Sequence, residues 1–156
     1  MAKDSHRLAY LSARFPATFA AVSKVLFEVV SRFPSFNCKT LLDLGSGPGT
    51  AVFAAFQMFP RLEKITAFEE DKSLIALGKR LSNHPIDWQA VDLEKVDTLP
   101  PHDLILMSYS IGELSEKRRE RLLELALLFG KVIVVIEPGT PVGFERIRKI
   151  RSDLIR

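Results

Sequence analysis

Cysteine is almost absent from this chain: Cys38 stands alone among 156 residues. An internal disulfide is excluded, and a cysteine-built metal centre has no ligand set within these residues. The three histidines, His6, His84 and His102, lack the short spacings of zinc ligands, so no metal site is expected. Long apolar runs are missing too, none approaching the ~18 residues of a membrane-spanning helix. The opening residues, Met1 to Arg7, carry Asp4 and no apolar centre of the kind a secretory leader needs. The expectation is a cytoplasmic protein in a reducing compartment, with no membrane partner. Charge of one sign is modest: 22 Lys and Arg against 19 Asp and Glu leave a net +3, which permits an anionic partner such as RNA without demanding one. A chain of this length is expected to form one domain around a single core.

Glycine is scarce as well, eight in all, yet three of the eight alternate within Leu41-Leu42-Asp43-Leu44-Gly45-Ser46-Gly47-Pro48-Gly49-Thr50. An apolar run that breaks into such a turn and then into a helical pattern reads as a strand-to-helix ligand loop. Glycine lets the backbone turn tightly and approach a ligand with no Cβ in the way, and a helix beginning near Pro48 aims free N–H groups at it. A dinucleotide fingerprint would place its third glycine at position 50, which is Thr50. The spacing is instead Gly-x-Gly-x-Gly with Asp43 two residues upstream, and it resembles the first motif of the class I methyltransferases that bind S-adenosylmethionine. That resemblance implies S-adenosylmethionine as cofactor, with Asp43, Gly45, Ser46, Gly47 and Gly49 around it. Burial of Asp43 in a strand end requires hydrogen bonds. Amides of the glycine loop are the expected donors, with the cofactor's ammonium group facing the carboxylate directly or through water.

Ahead of the loop, Phe19, Val22, Leu26, Val29 and Phe33 recur at helical spacing, and Pro16 suits a first helical turn. Residues 1–40 therefore read as a helical segment packing on a sheet formed by 41–156, the two making one structural unit. Strands are predicted at 41–44, 65–69, 87–91, 103–108 and 131–136, and helices at roughly 49–59, 71–82, 113–129 and 141–155. Leu93 to His102, with Pro100-Pro101, is too short and broken for a helix. Alternation of this kind predicts an α/β, doubly wound, mostly parallel Rossmann-like sheet, its crevice beyond the carboxyl ends of the strands. A methyltransferase sheet of this type normally carries two further strands beside the fifth, so the sheet is expected to be truncated there. Strand 131–136 should then be a bare edge, covered by dimerisation unless the chain is a fragment.

Polar residues at the strand ends are the candidates for chemistry. Glu69 stands where an acid can accept hydrogen bonds from vicinal ribose hydroxyls, with Asp71 the better N-cap for the helix that follows. Asp92 and the backbone at Leu93 are placed to meet an adenine amine and ring nitrogen. After the fourth strand come Ser108, Tyr109 and Glu113. Ser108 is assigned to the cofactor, Tyr109 could stack on a flat methyl acceptor, and Glu113 could open the next helix. Glu137, ending the fifth strand, points toward the same crevice. No catalytic group announces itself: the Asn/Asp-Pro-Pro-aromatic motif of many base N-methyltransferases is absent, and Cys38 precedes the first strand, far from this face. Two basic stretches, Lys117-Arg118-Arg119-Glu120-Arg121 and Arg146 to Arg151, are either solvated helix faces or an RNA surface.

Four stretches narrow the resemblance: Tyr10-Leu-Ser-Ala-Arg14-Phe-Pro16, Asp43 to Thr50, Ile111-Gly-Glu-Leu114, and Glu137-Pro-Gly-Thr-Pro-Val-Gly-Phe-Glu-Arg-Ile147. Together they resemble the ribosomal small-subunit methyltransferase-like family of bacteria and mitochondria. The resemblance implies a methyltransferase fold acting on or near small-subunit rRNA, with Tyr109 and Glu137 facing the acceptor. A non-catalytic assembly factor that keeps the cofactor pocket is the main alternative, and a small-molecule methyltransferase the second. Such proteins usually continue into a cysteine-rich metal-binding segment, which cannot be carried over to a chain with one cysteine. The chain is therefore expected to be either a fragment or a reduced member.

Overall fold

The computed structural model describes residues 2–155, with side chains described from Ser12 onward. Its elements are α1 (Ala2–Arg32), β1 (Thr40–Leu44), α2 (Thr50–Met58), β2 (Lys64–Glu69), α3 (Lys72–Leu81), β3 (Asp87–Ala90), β4 (His102–Ser108), α4 (Glu116–Phe129), β5 (Gly130–Ile136) and α5 (Pro141–Leu154). Two short 3-10 turns, Leu93–Lys95 and Ile111–Glu113, flank β4. The five strands are all parallel, in the order β3-β2-β1-β4-β5. Strand order reverses direction between β1 and β4, the topological switch point at which open α/β sheets leave a crevice.

Alternation along each strand divides the core in two. Leu41, Leu104, Leu106, Val134 and Ile136 face α1 and α2, packing with Val22, Leu26, Val52 and Ala55. Leu42, Leu44, Ile105 and Met107 face the other way, against Leu122, Leu125 and Ala126 of α4 and Ile150 of α5. Covered on both faces, β1 and β4 need the continuous apolar runs they have. β5 is an edge strand as expected: it pairs with β4, and no other strand joins it among the described residues.

Two element boundaries differ from expectation by more than one residue. α1 does not begin at Pro16; it runs back to Ala2 with Pro16 inside it, because the residues before the proline are themselves good helix formers. α4 does not begin at Glu113, which lies in the 3-10 turn; the helix starts at Glu116 after Ser115. Asp71 caps α3 as read from sequence, accepting from Ser73 N at 2.8 Å.

Trp88 of β3 wedges between α3 and the glycine loop. A Cβ added at Gly78 would run into its ring and come 2.9 Å from the Pro48 carbonyl oxygen. Gly78→Ala is therefore expected to cost about 1–3 kcal/mol in urea unfolding, with Trp88 fluorescence following the same transition.

Candidate functional site

The β1–α2 loop turns through three left-handed glycines, Gly45, Gly47 and Gly49, at φ 75°, 55° and 89°. They are not equivalent. A Cβ at Gly45 would collide with Ser110, and one at Gly49 would reach to 3.0 Å from Trp88, whereas one at Gly47 would meet no protein atom within 4 Å. Gly45 and Gly49 serve packing, while Gly47 leaves open space. The loop is held from β2: Gly45 N and Ser46 N both donate to the Phe68 carbonyl at 2.9 Å. Glu69 completes the tie, its Oε2 accepting from Gly47 N and its Oε1 from Asp71 N, each at 2.8 Å.

A cavity of about 820 Å³ opens over the ends of β1, β4 and β5, within the range of small-ligand sites. Asp43, Gly45, Ser46 and Gly47 form one wall, Ser108, Tyr109, Gly112 and Glu137 another, and Arg14, Phe15 and Thr18 of α1 a third. Asp43 is fully buried, and neither of its carboxylate oxygens has a hydrogen-bond partner. Burial, with the Glu69 carboxylate adding to it, pushes its pKa up to about 7. The Ser108 hydroxyl and Glu137 Oε1 are likewise buried without partners. The contrast with Asp103, at the opposite end of the sheet, is direct: that buried carboxylate accepts from Lys39 N and Thr40 N at 2.9 and 3.0 Å and pairs with Lys131 at 2.7 Å.

Loop fixation thus falls to Glu69 and not, as expected, to Asp43. Of the residues expected around the cofactor, Gly49, Glu69, Asp92 and Leu93 lie outside the cavity wall. Asp92 caps the 3-10 turn through Glu94 N at 2.9 Å and pairs with Lys95 at 2.7 Å, and the hydrogen bond from Lys95 holds its carboxyl below the usual carboxylate range. Leu93 packs beside the second core, with Gly45 close by. Tyr109 is in the wall, and it is the single non-glycine residue with positive φ, 57°, among the described residues. Cys38 is buried at the start of β1, away from the cavity, and burial pushes its thiol up to about 12.

The model of the family described as mitochondrial small ribosomal subunit Rsm22 matches residues 4–156. The chain belongs to this family. It is 28% identical over 160 residues to the human ribosome assembly protein METTL17, mitochondrial, covering 96% of this chain and 35% of that protein. It is 24% identical over 171 residues to Rsm22-cox11 tandem protein 2, mitochondrial, of Schizosaccharomyces pombe, covering 98% of this chain and 22% of that one. The Rsm22-family chain thus spans about a third or less of the length of these relatives. Among solved structures it resembles SAM-bound CalS10, an amino pentose methyltransferase from Micromonospora echinaspora, with a TM-score of 0.67 at 18% identity over 88% of this chain and 58% of that one. That likeness establishes the Rossmann-like methyltransferase fold.

Two parts of the Rsm22-family site were not read from sequence. Arg14 and Phe15 reach the cavity because α1 continues through Pro16, and a helical period extended upstream of the proline would have found them; Thr18 lay within the expected helix, on a face the sequence did not single out. Arg146 was counted in a basic surface, but it lines the cavity and is ion-paired with Glu137. The other basic residues are also largely balanced within the chain. Arg118 pairs with Asp97, Arg121 with Glu124, Arg148 with Glu145 and Lys149 with Glu116 and Glu120, while Arg119 donates to the carbonyls of Ile111 and Leu114. These contacts reduce the two stretches as a free RNA surface.

Asp43 gives a pH signature. Its folded pKa lies above the ordinary 3.8, so the stability that goes with the protonated form is fully present below that value and is lost as pH rises through about 7. Asp43→Asn removes this loss. Thermal unfolding of the ligand-free protein should show the variant more stable than the wild type above about pH 8, by up to ~4 kcal/mol, with the gap closing at about pH 4 and below.

Proposed function

We propose that this chain is an S-adenosylmethionine-binding, methyltransferase-like domain acting on or near small-subunit rRNA. The observation that carries the reading is the Asp43 carboxylate: buried, unpartnered and in the wall of a cavity beside a loop of left-handed glycines. A buried carboxylate with no donor is costly, and a ligand ammonium group is the natural partner that offsets it. Gly47 offers space that any side chain would fill, so the residues fit the cofactor. Asp43 would then hold the ammonium, and the first-turn amides of α2 would hold the carboxylate. Glu69 keeps lone pairs beyond its two amide bonds that ribose hydroxyls would use, and Asp92 and Leu93, outside the cavity wall, would be met only by a ligand that extends past it. Bound S-adenosylmethionine supplies an activated methyl group on a sulfonium. The chain's own part is to orient the acceptor from Ser108, Tyr109 and Glu137 and to exclude water, and positioning of this kind is sufficient for a direct displacement.

A cytoplasmic setting is our proposal for this chain; its single buried thiol fits any reducing compartment, and the mitochondrial names belong to its relatives. The free edge of β5 supports a homodimer formed by pairing edges. A second reading, a non-catalytic small-subunit assembly factor that retains the pocket, is favoured by the ribosome assembly role in the name of the human relative. Mass spectrometry of rRNA from a deletion strain separates the two: a lost methyl group supports the enzyme, and an unchanged map with immature subunits supports the assembly factor.

Calorimetry tests the pocket itself. S-adenosylhomocysteine should bind and a nicotinamide dinucleotide should not. Gly47→Val should weaken binding at least about tenfold by filling the cavity, and Asp43→Asn by ~1–3 kcal/mol through loss of a charged hydrogen bond. Full affinity in both variants would remove the assignment.

A further inference from the structure

The second buried carboxylate in the cavity has a different surrounding from the first. Glu137 is 1% exposed at its side chain, and its Oε2 accepts from Arg146 Nη1, a residue of α5. Its Oε1 is buried with no partner, in a residue that lines the cavity. Gly112 makes room for this pair: a Cβ there would lie 2.8 Å from Arg146 Nη1 and 3.3 Å from Glu137 Oε2.

One ligand ammonium group cannot serve both carboxylates. Asp43 is in register with Leu106, and Leu106 with Val134, so Glu137 stands two strands across and three residues further along. At about 4.8 Å per strand and 3.3 Å per residue, their backbones are roughly 14 Å apart. Tyr109 is the direct neighbour of Glu137, since Ser108 is in register with Ile136. Its left-handed backbone is held by a 2.8 Å hydrogen bond from Tyr109 N to the Ile136 carbonyl. Strain at a non-glycine residue in a cavity wall is the kind that persists where a side chain must be presented in one direction.

We infer that Glu137, steadied by Arg146, is the recognition group for an exocyclic amine on a flat heterocycle stacked against Tyr109: the amino edge of a cytosine- or adenine-type base. This rests on the reading of the cavity as a methyltransferase site and names the class of acceptor at its far end. Arg146 occupies one carboxylate oxygen, so one oxygen remains, suited to a single N–H donor. Guanine, whose two adjacent N–H groups call for both oxygens, is poorly matched. Uracil presents its N–H only between two carbonyl oxygens, which the carboxylate repels. A cytosine amine is the pairing that a lone carboxylate oxygen accepts well, and base stacking on an aromatic ring supplies sequence-tolerant attraction. Arg146 is a positioning residue in this scheme.

The test uses the nitrogen-labelled chain saturated with S-adenosylhomocysteine, titrated separately with cytidine, uridine and cytidine dimethylated at its exocyclic nitrogen, and followed by NMR at the amides of 108–113 and 137–146. Cytidine should bind roughly tenfold tighter than either of the others. The preference should vanish in Glu137→Gln and in Gly112→Ala, with S-adenosylhomocysteine affinity measured separately for each variant. The dimethylated nucleoside removes the donor from the ligand side, so the comparison stands even where a variant fails to fold. Equal affinities for the three nucleosides, or no binding of cytidine, would overturn the inference. So would a Glu137→Gln variant that loses S-adenosylhomocysteine and keeps the cytidine preference, since the carboxylate would then belong to the cofactor. If the wild type binds no S-adenosylhomocysteine, the functional reading fails by itself, and the nucleoside comparison made without it still decides the amine site.

Discussion

The glycine loop is gripped from the neighbouring strand, and the cavity wall that Gly45, Ser46 and Gly47 form depends on that grip. The Phe68 carbonyl takes two loop amides and Glu69 takes a third, while the other oxygen of Glu69 holds the start of the β2–α3 turn. With three residues in left-handed conformations, the loop has little regular hydrogen bonding of its own to define it. The β2 end supplies that definition. It leaves the opposite face of the loop, at Gly47, clear, and it leaves the Asp43 carboxylate behind the loop without a donor.

Charge burial differs between the two ends of the sheet. At the amino ends of the strands, Asp103 is satisfied by two amides and a lysine, and it ties β1 to β4. At the carboxyl ends, Asp43 and Glu137 Oε1 are buried and unsatisfied. A fold gains nothing from orphaned carboxylates, which compete with its own stability. Their concentration in the cavity at the carboxyl ends of β1, β4 and β5 is what separates a binding end from a structural end in this molecule.

Much of this was legible in the chain because it follows from short-range rules. The short apolar runs Leu104 to Met107 and Val132 to Ile136, the second entirely β-branched, read as strands by length and composition, and Asp71 ahead of Lys72 reads as a cap from its chemistry. The alternating glycines announced a ligand loop. The roles of Asp43 and Glu69 were not separable, because which acid meets the loop amides depends on the register between β1 and β2, a tertiary fact. Arg146 was hidden for a similar reason: a lone arginine in a basic run looks solvated until the α5 face is known to turn toward Glu137. Pro16 misled through a sound preference, since the helix accepts the loss of one backbone bond to continue upstream.

The strand order has a consequence for how the chain is made. β1 sits at the centre of the sheet, yet its partner on one side, β4, lies far along the chain; the bond from Lys39 N to Asp103 closes a separation of 64 residues. At roughly 5–20 residues per second, synthesis completes β1 about 3–13 s before β4, and the three-stranded half-sheet of β1, β2 and β3 about 1–4 s before it. For that interval the half-sheet carries an uncovered strand at what will become its middle, with Leu41, Leu42 and Leu44 available to any other unfinished chain. Vectorial emergence from the ribosome therefore makes the nascent half-domain, and not the finished molecule, the state in which this protein is most exposed to misassembly.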